Sequence, residues 1–330
     1  MHLRLFYVCF PMRALLILAC LLCTPAVPAL AAEPMTYRLK WLINASTAGD
    51  VVALHQNCFS RAGLDVTVKP GGPERDAIRE LELGYAQFGV ASADQVIRAM
   101  DKGADVVVVA QLFQVNPLQW IYRSADLAIK KPADLLGKTV GITYGGNDEA
   151  ILRALLAASG MKENQVRLAS VRYDYTPFFQ KKIPVWPVYA NLQGILLEEK
   201  LRENGESAAF LDPAAFGIRF VANSVVTSRK MTEEHPETVR RFVRALLEGW
   251  EIAMDPARET DTMAALSRYD KDTPTVLLRR QLAVTRNMIQ PDPATPIGHI
   301  DIPAWEETEA IMVKQGLIAK PVGVAKALRP

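Results

Sequence analysis

Two strand-to-helix turns in this chain contain the small residues from which ligand-binding loops are built. Gly145 and Gly146 separate a strand-like run from the helix-like residues 149–159, and Ser92 stands at an equivalent place after an earlier strand-like run. Glycines at such a junction let backbone N–H groups and the helix N-terminus face a ligand. The two turns together predict a two-lobed protein that captures a small molecule. The competing interpretation is two ordinary β-to-α turns, which commonly contain glycine.

The candidate ligand contacts are the residues that follow predicted strands, because ligands of open α/β sheets bind beyond the carboxyl ends of strands. With the glycine turn included, the predicted contacts are Trp41, Asn44, Ser92, Gln114, Gly145, Gly146, Asn147, Trp186, Tyr189 and Asn191. They are aromatic, small or neutral hydrogen-bonding residues. This composition favours a flat, polar heteroaromatic ligand, since a bare anion would favour Arg or Lys in the cleft.

Several of these residues also have a purely structural interpretation. An aromatic residue at a strand end can pack in a core, and this applies to Trp41. Alternation along residues 185–189 points Trp186 and Tyr189 to opposite faces of their strand. The pattern does not decide whether Trp186 faces the core or the cleft. Asn44 is also a candidate turn or helix N-cap residue.

Residues for other kinds of chemistry are missing from this sequence. His55, His235 and His299 are far apart and have no His/Cys spacing typical of a metal site. The serine-hydrolase motif Gly-x-Ser-x-Gly is absent. Cys58 is the one cysteine outside the N-terminal region, which predicts a buried thiol and no internal disulfide. We therefore predict a protein that is not an enzyme and holds no metal or cofactor.

The N-terminus predicts export to the periplasm. An apolar run over residues 14–23 follows Arg13, and Ala29-Leu30-Ala31 offers a small-x-small cleavage site. This order is that of a cleavable signal peptide over residues 1–31. The apolar run is shorter than the roughly 20 residues that a permanent membrane-spanning helix needs.

Two competing interpretations concern the same segment. Cys20 and Cys23 raise the option of a lipoprotein, but Cys20 comes too early in the apolar run and Cys23 follows Leu22, where lipid attachment needs a small residue. Met12 competes with Met1 as the start of the chain. Cleavage after residue 31 remains the favoured prediction.

The charge balance excludes a nucleic-acid partner from the prediction. The signal segment contains Arg4 and Arg13 and no acidic residue, so the 38 basic residues fall to 36, which equals the 36 acidic residues. Nucleic-acid binders carry a basic patch or stripe instead. The apparent basicity of the chain comes mostly from the signal segment.

Strand and helix signals alternate along the chain, which indicates an α/β protein built from open sheets flanked by helices. The apolar run over residues 106–110 is typical of a strand buried on both faces of a parallel sheet. A second unit begins near Ser124, and residues 218–223 resemble a returning strand. We predict lobe I over residues 32–124 and 222–330, lobe II over residues 125–221, and hinges near residues 120–126 and 218–228.

Five segments of the sequence resemble periplasmic solute-binding proteins of ABC importers. They are LKW at residues 39–41, FSRAGLDV at 59–66, AQFGV at 86–90, LLGKTVG at 135–141 and EHPETVRRF at 234–242. The resemblance extends from Tyr37 to Ile318. It is to the branch that contains thiamine-pyrimidine, riboflavin, nitrate and sulfonate binders and the fungal thiamine-pyrimidine synthase. It implies a periplasmic-binding-protein fold of type 2, in which two α/β lobes close around a ligand by a hinge motion.

The resemblance also implies a ligand and a partner. A monomer of this family would carry a thiamine-precursor pyrimidine or a similar nitrogen heterocycle to an ABC permease in the membrane. Two departures weaken the aminopyrimidine assignment. Pro184 stands where related binders often have an acidic residue, and Leu192 replaces the glutamate of their Asn-Glu-Pro segment. The missing carboxylate removes a strong acceptor for an exocyclic amine.

Functions of different classes stay open beside this one. The first is an enzyme like the fungal synthase, which uses a cofactor-bearing lysine, a histidine after its first strand and a cysteine-rich motif. Here Tyr85 stands at the lysine position, and residues 42–50 contain no histidine. A binder of nitrate, sulfonate or riboflavin is the second, and a ligand-sensing subunit of a receptor is the third.

Overall fold

The computed structural model describes residues 2–3, 34–72, 75–172 and 174–329. The predicted signal peptide, its cleavage site and both candidate starts lie outside the described residues, apart from His2 and Leu3. In the part of the chain that is described, no helix has the length and apolar character needed to cross a membrane.

Strands and helices alternate as the sequence predicts. The strands are β1 (Pro34–Arg38), β2 (Asp65–Lys69), β3 (Phe88–Ala91), β4 (Val106–Gln111), β5 (Leu118–Arg123), β6 (Thr139–Ile142), β7 (Arg167–Ser170), β8 (Trp186–Tyr189), β9 (Ala208–Leu211) and β10 (Ser224–Ser228). The helices are α1 (Ala48–His55), α2 (Cys58–Arg61), α3 (Ala77–Glu82), α4 (Ala93–Asp101), α5 (Asn147–Ala158), α6 (Thr176–Phe179), α7 (Ile195–Glu203), α8 (Arg229–Glu234), α9 (Pro236–Met254), α10 (Glu259–Leu266), α11 (Thr275–Ile289) and α12 (Ile302–Lys314). A π-helical turn, Ala190–Gly194, joins β8 to α7.

The largest sheet has five strands in the order β2-β1-β3-β10-β4. Strand β1 is parallel to β2 and β3, whereas β10 is antiparallel to β3 and β4. The prediction for residues 106–110 is therefore right about burial and wrong about a parallel sheet. A continuous apolar run indicates that both faces of a strand are covered, but it contains no information about the direction of the neighbouring strand.

The remaining strands form an antiparallel sheet, β8-β5-β9, and a parallel pair, β6-β7. A bridge between Val140 and Val185 joins the pair to the segment that leads into β8. The returning strand is β10, so the prediction of a strand over residues 218–223 is wrong by a few residues. Strand β9 was not predicted, because its short apolar run gave no clear alternation.

Helices α1 and α9 cross at a distance that requires glycine on both sides. A Cβ atom added to Gly249 would lie 2.4 Å from Cβ and 2.5 Å from the backbone N of Ala53. A Cβ atom added to Gly49 would lie 2.1 Å from the indole of Trp250 and 2.6 Å from its Cα. This close crossing fixes α1, which begins directly after the polar turn at residues 44–47.

An apolar core is shared between the two sets of strands. Val96 of α4, Trp305 of α12 and Leu155 of α5 belong to one continuous cluster of buried side chains. Helix α5 follows β6, while α4 and α12 pack beside the five-stranded sheet. The two sheet systems are therefore joined by packed side chains as well as by the chain itself.

Candidate functional site

Three separate segments meet at the hydroxyl of Tyr189, the last residue of β8. Lys40 Nζ, two residues after β1, lies 3.3 Å from this oxygen, and Asn147 Nδ2, at the start of α5, lies 3.5 Å from it. Both contacts are long for hydrogen bonds, so both donors remain available to a better-placed acceptor. We call the region around Lys40, Trp41, Asn147 and Tyr189 the candidate cleft.

The segment after β1 contains an aromatic residue, Trp41, directly after Lys40. The backbone carbonyl of Trp41 accepts the N–H of Gly71 at 2.9 Å, which holds the segment in place, and the Trp41 side chain is partly exposed. Tyr189 is partly buried and packs against the apolar clusters of both sheet systems. These positions agree with the expectation that a ligand lies beyond strand ends. The role of Trp41, Asn147 and Tyr189 as ligand contacts stays a prediction.

The glycine turn before α5 is closed by its own side chains. The N–H of Gly145 donates to Glu149 Oε2 at 2.7 Å, and the N–H of Gly146 donates to the backbone carbonyl of Thr143 at 2.8 Å. The N–H of Thr143 donates to Asp148 Oδ2 at 2.6 Å. The prediction that the N–H groups of Gly145 and Gly146 face a ligand is therefore not met in this structure. Glycine is needed at residue 145, where φ is +80°.

The carboxyl groups in this turn have unusual proton affinities. Burial raises the pKa of Asp148 to about 6, and the N–H donors of Thr143 and of the helix turn only partly offset the burial. Burial would also raise the pKa of Glu149, but the N–H of Gly145 and the guanidinium of Arg153 lower it below its usual value. Two carboxyl groups therefore occupy the positive end of α5 and leave little room there for a ligand anion.

Ser92 and Gln114 have structural hydrogen bonds. Ser92 is buried at the start of α4, where its Oγ donates to Asp94 Oδ1 at 2.6 Å and takes part in a capping box with Gln95. Gln114 Nε2 donates to the carbonyl of His299 at 2.9 Å and to the carbonyl of Gln111 at 3.2 Å. Neither side chain has a described hydrogen bond to the candidate cleft.

Asn191 lies in the π-helical turn and is fully buried. Its Nδ2 donates to Ser46 Oγ and to Thr285 Oγ1, each at 2.8 Å. Gln281 Nε2 reaches the carbonyl of Leu192 in the same turn at 3.4 Å. The amide of Asn191 therefore ties the turn after β8 to the start of α1 and to α11, a use of π-helical geometry that is frequent near functional sites.

Two further predicted contacts have structural roles. Asn44 Oδ1 accepts the N–H of Ser46 and caps a short helical turn, in line with the N-cap interpretation. Trp186 is buried in an apolar cluster with Phe178 and Tyr175, at ring-centroid distances of 6.3 and 5.8 Å. The structure thus places the Trp186 side chain in the core and not in the candidate cleft.

Lys40 was missed as a site residue. Its ammonium group lies beside the Tyr189 hydroxyl and adds one charge to a cleft whose predicted contacts are neutral. Its position two residues after a strand was visible in the sequence, but a lysine at a strand end usually points into solvent.

The described residues give no sign of a metal centre. Among residues 34–72, 75–172 and 174–329, no three His, Cys, Asp or Glu side chains come together in a way that could hold a metal ion. Cys58 is buried as predicted, with its Sγ 3.4 Å from Nη2 of Arg61.

Comparison with known proteins identifies a family and two relatives that are named as small-molecule-binding proteins. The family profile described as NMT1/THI5 like matches residues 44–259. The chain is 28% identical over 335 residues to the riboflavin-binding protein RibY of Chloroflexus aurantiacus, covering 95% of this chain and 93% of that protein. It is 25% identical over 297 residues to a formylaminopyrimidine-binding protein of Halalkalibacterium halodurans, covering 88% of each chain.

Solved structures agree with this fold. The alkanesulfonate-binding protein SsuA of Xanthomonas axonopodis pv. citri superposes with a TM-score of 0.67 at 20% identity, covering 91% of this chain and 99% of that chain. At such low identity the likeness shows the fold alone. The two-lobed periplasmic-binding-protein fold expected from the sequence is confirmed.

Proposed function

The chain belongs to the NMT1/THI5-like family, and we propose that it is an extracytoplasmic solute-binding protein that captures a small, polar heteroaromatic molecule for an ABC importer. The observation that carries this proposal is the convergence of Lys40, Asn147 and Tyr189 on one phenol oxygen. Hydrogen-bonding groups from three distant segments, next to the aromatic Trp41, are what a flat ligand with polar edges requires.

A nitrogen heterocycle is the favoured ligand class. Two relatives are named as binders of riboflavin and of a formylaminopyrimidine, and both of these are nitrogen heteroaromatics. A compact anion such as nitrate or a simple sulfonate would use helix N-termini, but Asp148 and Glu149 already occupy the first turn of α5. A thiamine-precursor pyrimidine or a similar heterocycle remains the specific candidate, with the reservation that Leu192 offers no carboxylate to an exocyclic amine.

The proposed lobes are residues 32–124 with 222–330 and residues 125–221. The membership of most strands supports this division, because the five-stranded sheet takes its strands from β1 to β4 and β10. Strand β5, at residues 118–123, pairs instead with β8 and β9 and so groups with the second lobe. A ligand that contacts both lobes favours the closed state by its differential affinity for that state. A signal peptide over residues 1–31 would deliver this monomer to the periplasm, where an ABC permease would receive the ligand.

We also propose that the protein has no turnover of its own. Tyr85, at the position of the cofactor-bearing lysine in the related synthase, is 68% exposed, which a closed catalytic pocket would not allow. A ligand-sensing subunit would share the same cleft and differ only in its partner. The proposed absence of turnover would be contradicted if the purified protein formed a product from a candidate substrate or carried a covalent pyridoxal adduct.

Identifying the bound ligand is the decisive experiment. Mass spectrometry of small molecules released from natively purified protein should yield a nitrogen heterocycle. A thermal-shift panel of pyrimidines, flavins, nitrate and sulfonates should then rank that class first. A true ligand should stabilise the protein by about 2.7 kcal/mol at a hundredfold excess over its Kd. Stabilisation by nitrate or simple sulfonates alone would contradict the heteroaromatic assignment.

Replacing Trp41 by alanine should weaken binding of the heterocycle by about 1–3 kcal/mol, the usual contribution of stacking on a base-like ring. Calorimetry measures the affinity, and circular dichroism confirms the fold. Trp186→Ala is the matched control: loss of a buried Trp should lower the free energy of unfolding by about 3–5 kcal/mol while the folded protein keeps its affinity. The reverse pattern would place Trp41 in the core and Trp186 in the cleft.

Replacing Asn147 by alanine should weaken binding by about 1–3 kcal/mol, because a buried polar group of the ligand would lose its partner. Asn204→Ala removes an exposed amide of the same kind, whose Nδ2 donates to the carbonyl of Lys200, and should leave the affinity unchanged. Equal affinity of the Asn147 variant and the unmodified protein would show that the start of α5 does not contact the ligand.

A further inference from the structure

Lys40 is the charged member of the candidate cleft, whose other defining residues, Trp41, Asn147 and Tyr189, are neutral. The residue is partly buried, and the described hydrogen bond of its ammonium group is to the neutral hydroxyl of Tyr189 at 3.3 Å. Among the residues that the structure describes, no carboxylate forms a salt bridge with it. Withdrawing an ammonium from water without a counter-charge is unfavourable, so such a group favours an anionic partner.

The two acidic residues that follow Asn147 in the chain are engaged elsewhere. Asp148 accepts the N–H of Thr143, and Glu149 accepts the N–H of Gly145 and pairs with Arg153 at 2.8 Å. These carboxyl groups are held by the turn before α5 and by α5 itself. They fill the helix N-terminus, while Lys40 and Asn147 both present donors to the space occupied by the Tyr189 hydroxyl oxygen.

On the premise that the proposed function holds, we propose that Lys40 selects a heterocycle that bears an acidic substituent, such as a carboxylate. The anion would take the place of the phenol oxygen as the acceptor for Lys40 Nζ and Asn147 Nδ2. The Tyr189 hydroxyl, released from its role as acceptor, would donate its own proton to the same anion. The ring would then lie toward Trp41, the neighbour of Lys40 in the chain, and the acidic group would fix its orientation.

Matched pairs of acids and amides test this inference. The pairs are orotate with its carboxamide, nicotinate with nicotinamide, and 4-aminopyrimidine-5-carboxylate with its carboxamide. Calorimetry at 0.15 M salt should show that the acid of at least one pair binds ten times or more tighter than its amide. In Lys40→Met this preference should disappear, whereas Lys40→Arg should keep it in part. Lys102→Met removes an exposed lysine directly after α4 and should leave the preference intact.

Each contrary outcome separates the inference from the proposed function. Equal or tighter binding of the amides overturns the role of Lys40 and leaves a heterocycle-binding protein. An acid preference that survives in Lys40→Met also overturns that role. Binding confined to non-aromatic anions, lost in Lys40→Met, supports the charge selection by Lys40 and overturns the heteroaromatic part of the proposed function. Absence of binding across the panel, with no co-purified ligand, overturns both.

Discussion

Replacing Asp50 by asparagine should remove much of the loss of stability that the protein undergoes between pH 4 and pH 8. Asp50 lies in α1, is 1% exposed, and accepts a hydrogen bond from the Tyr37 hydroxyl at 2.7 Å. Burial raises the pKa of this carboxyl to about 7, although the hydrogen bond from Tyr37 opposes the increase. Asparagine keeps an acceptor for Tyr37 and has no charge to bury.

The sign of this pH dependence follows from the difference in proton binding between the folded and the unfolded protein. The folded protein binds a proton at Asp50 up to about pH 7, whereas the unfolded chain releases it near pH 4. The stabilising contribution of the protonated group is therefore complete below about pH 4 and is lost as the pH rises to 7. A shift of about three units corresponds to about 4 kcal/mol of unfolding free energy.

Urea unfolding at several pH values between 4 and 8.5 measures this effect. The Asp50→Asn variant should lose about 4 kcal/mol less stability over this range than the unmodified protein. A smaller residual slope should remain, because the pKa of Asp148 is about 6 and acts in the same direction. Asp101→Asn, at an exposed carboxyl on α4, is the control and should not change the slope. An unaltered slope in Asp50→Asn would show that this carboxyl is ionised in the folded protein.

Replacing Phe242 by alanine should lower the free energy of unfolding by about 3–5 kcal/mol, the usual range for a fully buried Phe. The ring, on α9, lies nearly parallel to Phe88 at a centroid distance of 3.6 Å. It also stacks with Phe59 at 5.3 Å and meets Tyr37 edge-on at 5.2 Å. Its removal would leave a cavity among three aromatic rings and detach α9 from the five-stranded sheet.

Chemical unfolding measures the loss, and Phe242→Leu is the matched variant. Leucine refills most of the volume and should lose less than half as much stability as alanine. The ligand affinity of the folded fraction should be unchanged in both variants, because the described ring contacts of Phe242 are with Tyr37, Phe59 and Phe88, none of which defines the candidate cleft. A loss below about 1.5 kcal/mol in Phe242→Ala would mean that the surrounding rings collapse into the space.

Local patterns predicted the elements well and the sheet order poorly. The alternation of residues 185–189 correctly placed Trp186 and Tyr189 on opposite faces of β8, because the side-chain period of a strand is fixed. The antiparallel entry of β10 between β3 and β4 was not predicted. That pairing joins segments far apart in the chain, and a single apolar run carries no signal for its partner.

The candidate site was predicted less completely than the elements. Strand ends indicated Trp41 and Tyr189, because the topology of an open sheet brings such ends together. The structure places Tyr189 beside Lys40 and Asn147, and the role of both aromatic residues as ligand contacts stays a prediction. Ser92 and Asn191 were candidates because they are polar residues that follow strands, but their hydrogen bonds are made to Asp94, Ser46 and Thr285. Lys40 was missed because only the folded chain shows that its ammonium group lies beside the phenol of Tyr189, which belongs to another segment.

Insertions at residues 190–194 should be far less well tolerated than substitutions there. A π-helical turn already holds one residue more than the corresponding α-helical turn, so a further inserted residue would rotate α7 against β8 by about 100°. Either Asn191 would then turn away from Ser46, or Leu197 and Leu201 of α7 would leave the cluster around Trp186. The turn at Gly205, with nothing within contact of an added Cβ, has no such constraint. Insertions in this protein should accordingly collect in turns like that at Gly205 and avoid the turn that follows β8.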